Sequence, residues 1–277
     1  MNHIEGNFRG VRSANIYYQG WLPAGSIKAS ILIIHGLGEH SGRYMNVVNH
    51  FIPLGYAIYG LDHLGHGKSD GGREVVERFK DFTDNLMIFH NMAKVWQPDK
   101  PIFLLGHSLG GSILAIYLID QPADINGAII SAPMTSIPAN ITPITVTLGK
   151  LLSAIAPKAG IIALDATGVS RDPEVVKAYV NDPLVFHGKT PSRLAAEMLV
   201  AMQRITAEAN KITQPFITLQ GTADRLVNPT DAKFLYDTAS SKDKTLKTYP
   251  GLFHEVFNEP EHDVVLKDVE SWLLAHL

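Results

Sequence analysis

Apolar residues in this chain fall into short continuous runs, separated by segments in which they recur at helical spacing. Ser30–Ile34, Tyr56–Leu61, Ile102–Leu105, Ala128–Ser131 and Phe216–Leu219 are such runs, each closed within two residues by Gly, Asp, Ser or Pro. Short apolar runs without alternation mark parallel strands buried on both faces. Thr245–Tyr249 reads as a last strand, and the loosely alternating, aromatic-rich Asn15–Leu22 reads as an edge hairpin strand. Between the runs Phe79, Phe82, Leu86, Phe89 and Ala93 share one helical face, as do Val265, Val269, Trp272 and Leu273. Strand and helix alternate, which predicts an α/β fold: a mostly parallel central sheet with helices on both faces. Functional groups then gather at the carboxyl ends of the strands. That rule selects the loops at His35, Asp62, Ser108, Asp224 and His254.

One segment breaks the alternation. From about 134 to 214 there are helical patches, several prolines and no obvious strand, on the scale of a helical insertion. We read it as a cap set into a single domain spanning 1–277. Its first part carries Ile141, Ile144, Val146, Leu148, Leu151, Leu152 and Ile155 with only Lys150 and Lys158 as charges. The prolines and lysines argue against a spanning helix, so a cap wall or a lipid-touching surface is expected. Helices simply packed on the core are the alternative.

With 277 residues, 45% hydrophobic and 18% charged, the chain is long enough to bury a substantial core. A net charge of -3 gives no electrostatic case for nucleic acid. The absence of cysteine excludes thiol catalysis and disulfides. Met1–Arg12 has charges and glycines but no apolar run, so no secretory signal is expected and the protein reads as cytoplasmic. The sequon Asn140-Ile-Thr142 then reads as coincidence.

The richest chemistry lies in Ile102–Leu118: a short strand, a tight turn and an apolar helix. At the turn Gly106-His107-Ser108-Leu109-Gly110 matches the G-x-S-x-G nucleophile elbow. The glycines let a strained backbone thrust the serine hydroxyl clear, because a Cβ two residues away would meet the neighbouring strand or helix. A serine hydroxyl needs a base to take its proton and an acid to orient that base. The elbow architecture expects the order serine, acid, histidine, which selects Asp224 and His254 after Ser108. Asp62 is an alternative acid at an earlier strand end. His107 sits beside Ser108 on a sharp turn and points away from it. A metal cluster of His35, His40, His63 and His66 lacks any matching ligand spacing, so neither metal nor cofactor is expected. Oxyanion donors are expected from the backbone N–H of Leu109 and of Leu37, in the loop His35-Gly36-Leu37-Gly38, which otherwise reads as a simple tight turn.

Longer motifs carry a family resemblance. These are His35-Gly-Leu-Gly-Glu-His-Ser-Gly-Arg-Tyr44, Asp62-His-Leu-Gly-His-Gly-Lys-Ser69, Gly106-His-Ser-Leu-Gly-Gly111, Asn181-Asp-Pro-Leu184, Gly221-Thr-Ala-Asp-Arg-Leu226 and Pro250-Gly-Leu-Phe-His-Glu-Val-Phe-Asn-Glu259. Across nearly its whole length the chain resembles the monoacylglycerol lipases of the α/β-hydrolase superfamily. The resemblance implies a triad of Ser108, Asp224 and His254, oxyanion donors at Leu37 and Leu109, and a cap over an acyl tunnel. It implies that a monoacylglycerol or similar small lipid ester is cleaved to fatty acid and glycerol; the apolar residues of the cap add the expectation of peripheral membrane contact. It also implies a polar glycerol pocket lined by Glu39, Arg43 and Tyr179, although Glu39 and Arg43, four apart, also fit a helix-surface pair. Some members carry a further histidine three positions after the catalytic one, where this chain has Phe257. A broader carboxylesterase or lysophospholipase shares the triad; a non-catalytic lipid-binding member of the fold would lose part of it.

Overall fold

The computed structural model describes residues 1–120, 125–137 and 143–277, leaving out the side chains at 143–146 and 148. The chain begins with β1 (Asn2–Arg9), β2 (Asn15–Leu22), β3 (Ala29–Ile34), α1 (Met45–Phe51), β4 (Tyr56–Leu61) and α2 (Lys80–Trp96). The elbow region follows as β5 (Ile102–His107), α3 (Leu109–Asp120) and β6 (Gly127–Ser131). Next come α4 (Pro143–Ile155), β7 (Gly160–Ala163), α5 (Pro173–Asn181), β8 (Lys189–Pro191) and α6 (Ser192–Glu208). The chain ends with β9 (Phe216–Gly221), α7 (Asp231–Thr238), β10 (Lys244–Tyr249) and α8 (His262–Leu274).

Among the described residues one eight-stranded sheet runs β1-β2-β4-β3-β5-β6-β9-β10. Pairing is parallel from β4 through β10 and antiparallel for β1–β2 and β2–β4. The continuous apolar runs are the central strands because alternate side chains enter two different cores. Leu32 and Ile34 of β3 pack with Phe82, Leu86 and Leu114, while Ile31 and Ile33 pack with Val47, Phe51, Val265 and Val269. Each such side chain contributes about 1.5–3 kcal/mol by leaving water. β1 has no counterpart in the apolar pattern. It pairs along all of β2, burying Phe8 and half-burying Ile4 while Glu5, Asn7 and Arg9 face out. A strand wetted on one face needs few apolar residues.

After β3 the chain adds β4 on one side, then crosses to add β5 on the other. The loops leaving β3 and β5 therefore diverge at a topological switch point, where a crevice opens at the carboxyl ends. Between β6 and β9 the chain leaves the sheet for α4, β7, α5, β8 and α6. The expectation of no strand there is corrected: β7 and β8 form a separate antiparallel ribbon. β7 is four residues long and exposed throughout, so it carries no alternation to read. α6 returns to the main core through Leu194, Met198, Ala201 and Ile205. α4 and the ribbon instead expose Leu151, Leu152, Ile155, Ile161 and Ile162. Ile141 and the side chains of Ile144, Val146 and Leu148 lie outside the described residues, as does the Asn140-Ile-Thr142 sequon. No described helix is long and apolar enough to cross a membrane.

Candidate active site

Ser108 sits between β5 and α3 with φ at 54°, a left-handed conformation that non-glycine residues rarely adopt. The turn is as tight as its glycines permit. A Cβ on Gly110 would lie 1.9 Å from the Ile34 carbonyl oxygen, and one on Gly106 would lie 2.5 Å from that of Gly110. The Ser108 N–H donates to the Ser131 carbonyl at 2.9 Å, tying the elbow to β6.

Asp224 follows β9 and His254 follows β10, and the two side chains meet. His254 Nδ1 lies 2.8 Å from Asp224 Oδ2. The other carboxylate oxygen accepts the Leu226 and Val227 N–H groups at 2.8 and 3.1 Å, and Gln220 Nε2 donates to Oδ2 at 2.9 Å. Burial pushes the Asp224 carboxyl up, but His254 and these N–H groups outweigh it and hold it below its ordinary value. An anionic Asp224 needs the Nδ1 proton of His254, which leaves Nε2 as the basic nitrogen. The His254 loop closes tightly over β9, since a Cβ on Gly221 would lie 2.2 Å from the Phe253 carbonyl oxygen.

Across the crevice Leu37 follows β3. Among the described residues neither the Leu37 nor the Leu109 N–H meets an acceptor of the chain. Gly38 holds φ at 72°, and its carbonyl accepts the Phe186 N–H at 2.7 Å. Glu39, Arg43 and Tyr179 also come together, with Glu255 added. Arg43 Nη1 donates to Glu39 at 2.8 Å and to Glu255 at 2.6 Å, and Nη2 donates to Glu255 at 2.8 Å. The guanidinium lies 4.6 Å from the centre of the Tyr179 ring. Glu39 and Arg43 do pair four apart, but buried rather than on a helix surface. Burial raises the Glu39 carboxyl, and the Glu255 charge adds to this against Arg43. Burial also pushes Glu255 up, but the forked Arg43 contact wins and holds it below its ordinary value.

Two cavities meet at Ser108 and His254. An apolar one of about 480 Å³ is lined by Leu37, Met134, Ala195, Ala196, Met198 and Met202. A polar recess beside it is bordered by Glu39, Tyr179 and Glu255, with Arg43 behind them, and its volume of about 10 Å³ is the room one water needs. A larger cleft of about 910 Å³ between α2, α3 and α6 touches none of the strand-end groups.

A family model described as serine aminopeptidase S33 matches residues 25–261. The monoacylglycerol lipase of Mycolicibacterium smegmatis is 38% identical over 99% of this chain and 98% of its own. The chain belongs to the monoacylglycerol lipase family. The crystal structure of Paleococcus ferrophilus monoacylglycerol lipase superposes with a TM-score of 0.82 at 30% identity, covering all of both chains. A soluble variant of the Saccharomyces cerevisiae monoglyceride lipase, solved with a substrate analog, gives 0.85 at 25% identity over 99% of this chain and 94% of its own.

The competing groups in this family member are occupied elsewhere. Asp62 accepts the Ser41 N–H and hydroxyl at 2.9 and 2.6 Å and the Lys68 N–H at 2.9 Å, so it ties two loops together rather than facing His254. His107 lies 3.3 Å from the Ser131 hydroxyl and packs its ring 4.7 Å from that of His254. His35, His63 and His66 cluster with their rings tilted or edge-on to one another, while His40 turns away to Asp182 at 2.9 Å. Among the described residues no group of three or more such side chains is arranged to hold a metal. Sequence reasoning missed Gln220 and Glu255. The signal for Gln220 was a lone polar side chain at the end of an apolar run; Glu255 stood beside a candidate histidine. Phe257 is buried in the core, and Glu255 borders the recess beside His254.

Proposed function

We propose that this chain hydrolyses monoacylglycerols to fatty acid and glycerol through an acyl-enzyme. The observation that carries the reading is Ser108 beside the His254–Asp224 pair, where an apolar cavity of about 480 Å³ meets a small polar recess. In this reading His254 Nε2 takes the Ser108 proton as Oγ attacks the ester carbonyl, and Asp224 stabilises the imidazolium. The Leu37 and Leu109 N–H groups bind the oxyanion. His254 then protonates the departing glycerol and activates water to release the fatty acid. The acyl chain occupies the apolar cavity. The glycerol faces Glu39 and Tyr179 in the recess, with Arg43 supporting Glu39 from behind, and that recess must widen to admit it.

The segment from about 134 to 214 acts as the cap in this reading. Leu151, Leu152 and Ile155 supply an exposed apolar face suited to peripheral contact of a cytoplasmic enzyme with a membrane surface. The deciding experiment compares initial rates on monoacyl-, diacyl- and triacylglycerols and on lysophosphatidylcholine, for the wild type and Ser108→Ala. Monoacylglycerol is expected to be preferred, with turnover falling by about a million-fold in the variant. Preference for the phospholipid would overturn the substrate, and activity of Ser108→Ala near wild type would overturn the mechanism.

A further inference from the structure

We propose that Arg43 is a positioning residue that locks the oxyanion-donor loop to the histidine loop. The inference rests on the reaction read above. Three segments distant in sequence meet at this guanidinium: Glu39 after β3, Glu255 after β10, and Tyr179 of α5. The two carboxylates lead on to the two reacting loops. The second oxygen of Glu39 accepts the Gly36 N–H at 2.7 Å and the Tyr44 hydroxyl at 2.8 Å, so the carboxylate holds the His35–Gly36 peptide, the one preceding the peptide that carries the Leu37 N–H. Glu255 adjoins His254. Its N–H donates to the Val169 carbonyl at 2.8 Å, and its carboxylate takes the Asn258 amide at 2.9 Å as well as Arg43.

The chemistry of the cluster favours positioning over either stability or ligand binding. Buried ion groups are poor stabilisers, because desolvation offsets much of their attraction. The Arg43, Glu39 and Glu255 side chains are only 9%, 5% and 7% exposed. Both terminal nitrogens of Arg43 donate to carboxylates and its face lies against Tyr179, so the guanidinium stands behind the recess. What a planar fork adds is direction: it bridges two carboxylates at fixed angles, which the single ammonium of lysine does not. Relaxing the bridge lets the Leu37 N–H and the His254 ring move independently of each other.

The test uses the full chain with Arg43→Lys, Glu255→Gln and the double variant. Tm, kcat and KM on a monoacylglycerol are measured, together with hydrogen exchange by mass spectrometry. Each single variant is expected to lose about 10- to 100-fold in kcat, the cost of a misplacement approaching 1 Å. KM should change by no more than about twofold, since the substrate's own contacts remain. The double variant should fall no further than the worse single variant, because the groups act as one unit. Exchange should quicken in both the 36–38 and 251–256 loops of Arg43→Lys, a readout that stands whatever the substrate proves to be. Wild-type kcat in both folded singles, multiplicative losses in the double variant, or faster exchange confined to one loop would each overturn the proposal. Should Arg43→Lys lose its fold, Glu39→Gln is read instead, by kcat and exchange and not by KM because Glu39 also faces the glycerol; it keeps an acceptor for Gly36 while removing the charge that holds Arg43. Inactivity of the wild type on every ester would sink the reaction reading and leave the exchange result to judge the clamp.

Discussion

Acid should destabilise this protein progressively as pH falls below 6.5, because buried histidines must charge. Burial pushes His63 and His107 down to about 3 and His66 down to about 4, from an ordinary 6.5. His35, fully buried between His63 and His66, is also held well below that value. For each the unfolded chain takes up a proton first as pH falls below 6.5. Their stabilisation is thus complete above that pH and is lost down toward the folded values, at about 1.4 kcal/mol per pH unit for each group. At pH 4.5, His63, His66 and His107 together have cost about 8 kcal/mol. Glu74 works in the opposite sense. Burial raises it to about 7, so the folded state binds its proton first, and this restores about 3 kcal/mol over the same range. For these four groups the balance is a loss of about 5 kcal/mol between pH 7 and 4.5, a large share of a typical domain's stability. Urea unfolding followed by circular dichroism at half-unit steps measures it directly. Stability changing by less than about 1 kcal/mol across that range would refute the assignment of neutral, unprotonated histidines to this cluster.

Asp224→Asn should lower kcat by about 10³- to 10⁴-fold with the fold retained. Its amide would face the His254 Nδ1–H with a second donor and favour the wrong tautomer, so a pH–rate profile and Tm check it, and kcat within tenfold of wild type would count against the pair. Ala195→Phe places a ring in the apolar cavity and should shift preference from palmitoyl toward octanoyl monoacylglycerol; an unchanged rate ratio would move the acyl chain elsewhere. Leu151→Glu with Leu152→Glu should weaken co-sedimentation with vesicles while sparing hydrolysis of a soluble short-chain ester, whereas equal binding by both forms would exclude this face.

The central strands were legible because burial on both faces leaves an unmistakable run of apolar residues. Ile31–Ile34 and Phe103–Leu105 feed two cores at once, so nearly every position must be apolar. Strand ends followed from the same pattern, and with them the loops that carry Ser108, Asp224 and His254. β1 was not legible, since an edge strand wetted on one face can be written as Asn-His-Ile-Glu-Gly-Asn-Phe-Arg. The β7–β8 ribbon was not legible either, because its strands are short and β7 buries nothing that would impose alternation.

Polar side chains were hard to rank from sequence for a different physical reason: what decides their role is the partner, and the partners are remote. Asp62 and Asp224 both follow buried strands. Yet one accepts donors from Ser41 and Lys68, while the other receives His254 from a loop thirty positions later. Arg43 and Glu255 are separated by 212 positions and still form the shortest contact of their cluster. A two-carboxylate, one-guanidinium group has no period and no spacing to reveal it. Its trace in the sequence is Glu39 and Arg43 at an interval that also suits a helix surface. Burial separates these alternatives: an exposed pair at that spacing is worth a few tenths of a kcal/mol, whereas breaking a buried one leaves a charge without a partner and costs about 3–5 kcal/mol. The chain therefore keeps a costly cluster at the recess where an apolar packing would serve stability as well, and the lasting constraint on Glu39, Arg43 and Glu255 is the geometry they impose on the loops of Leu37 and His254.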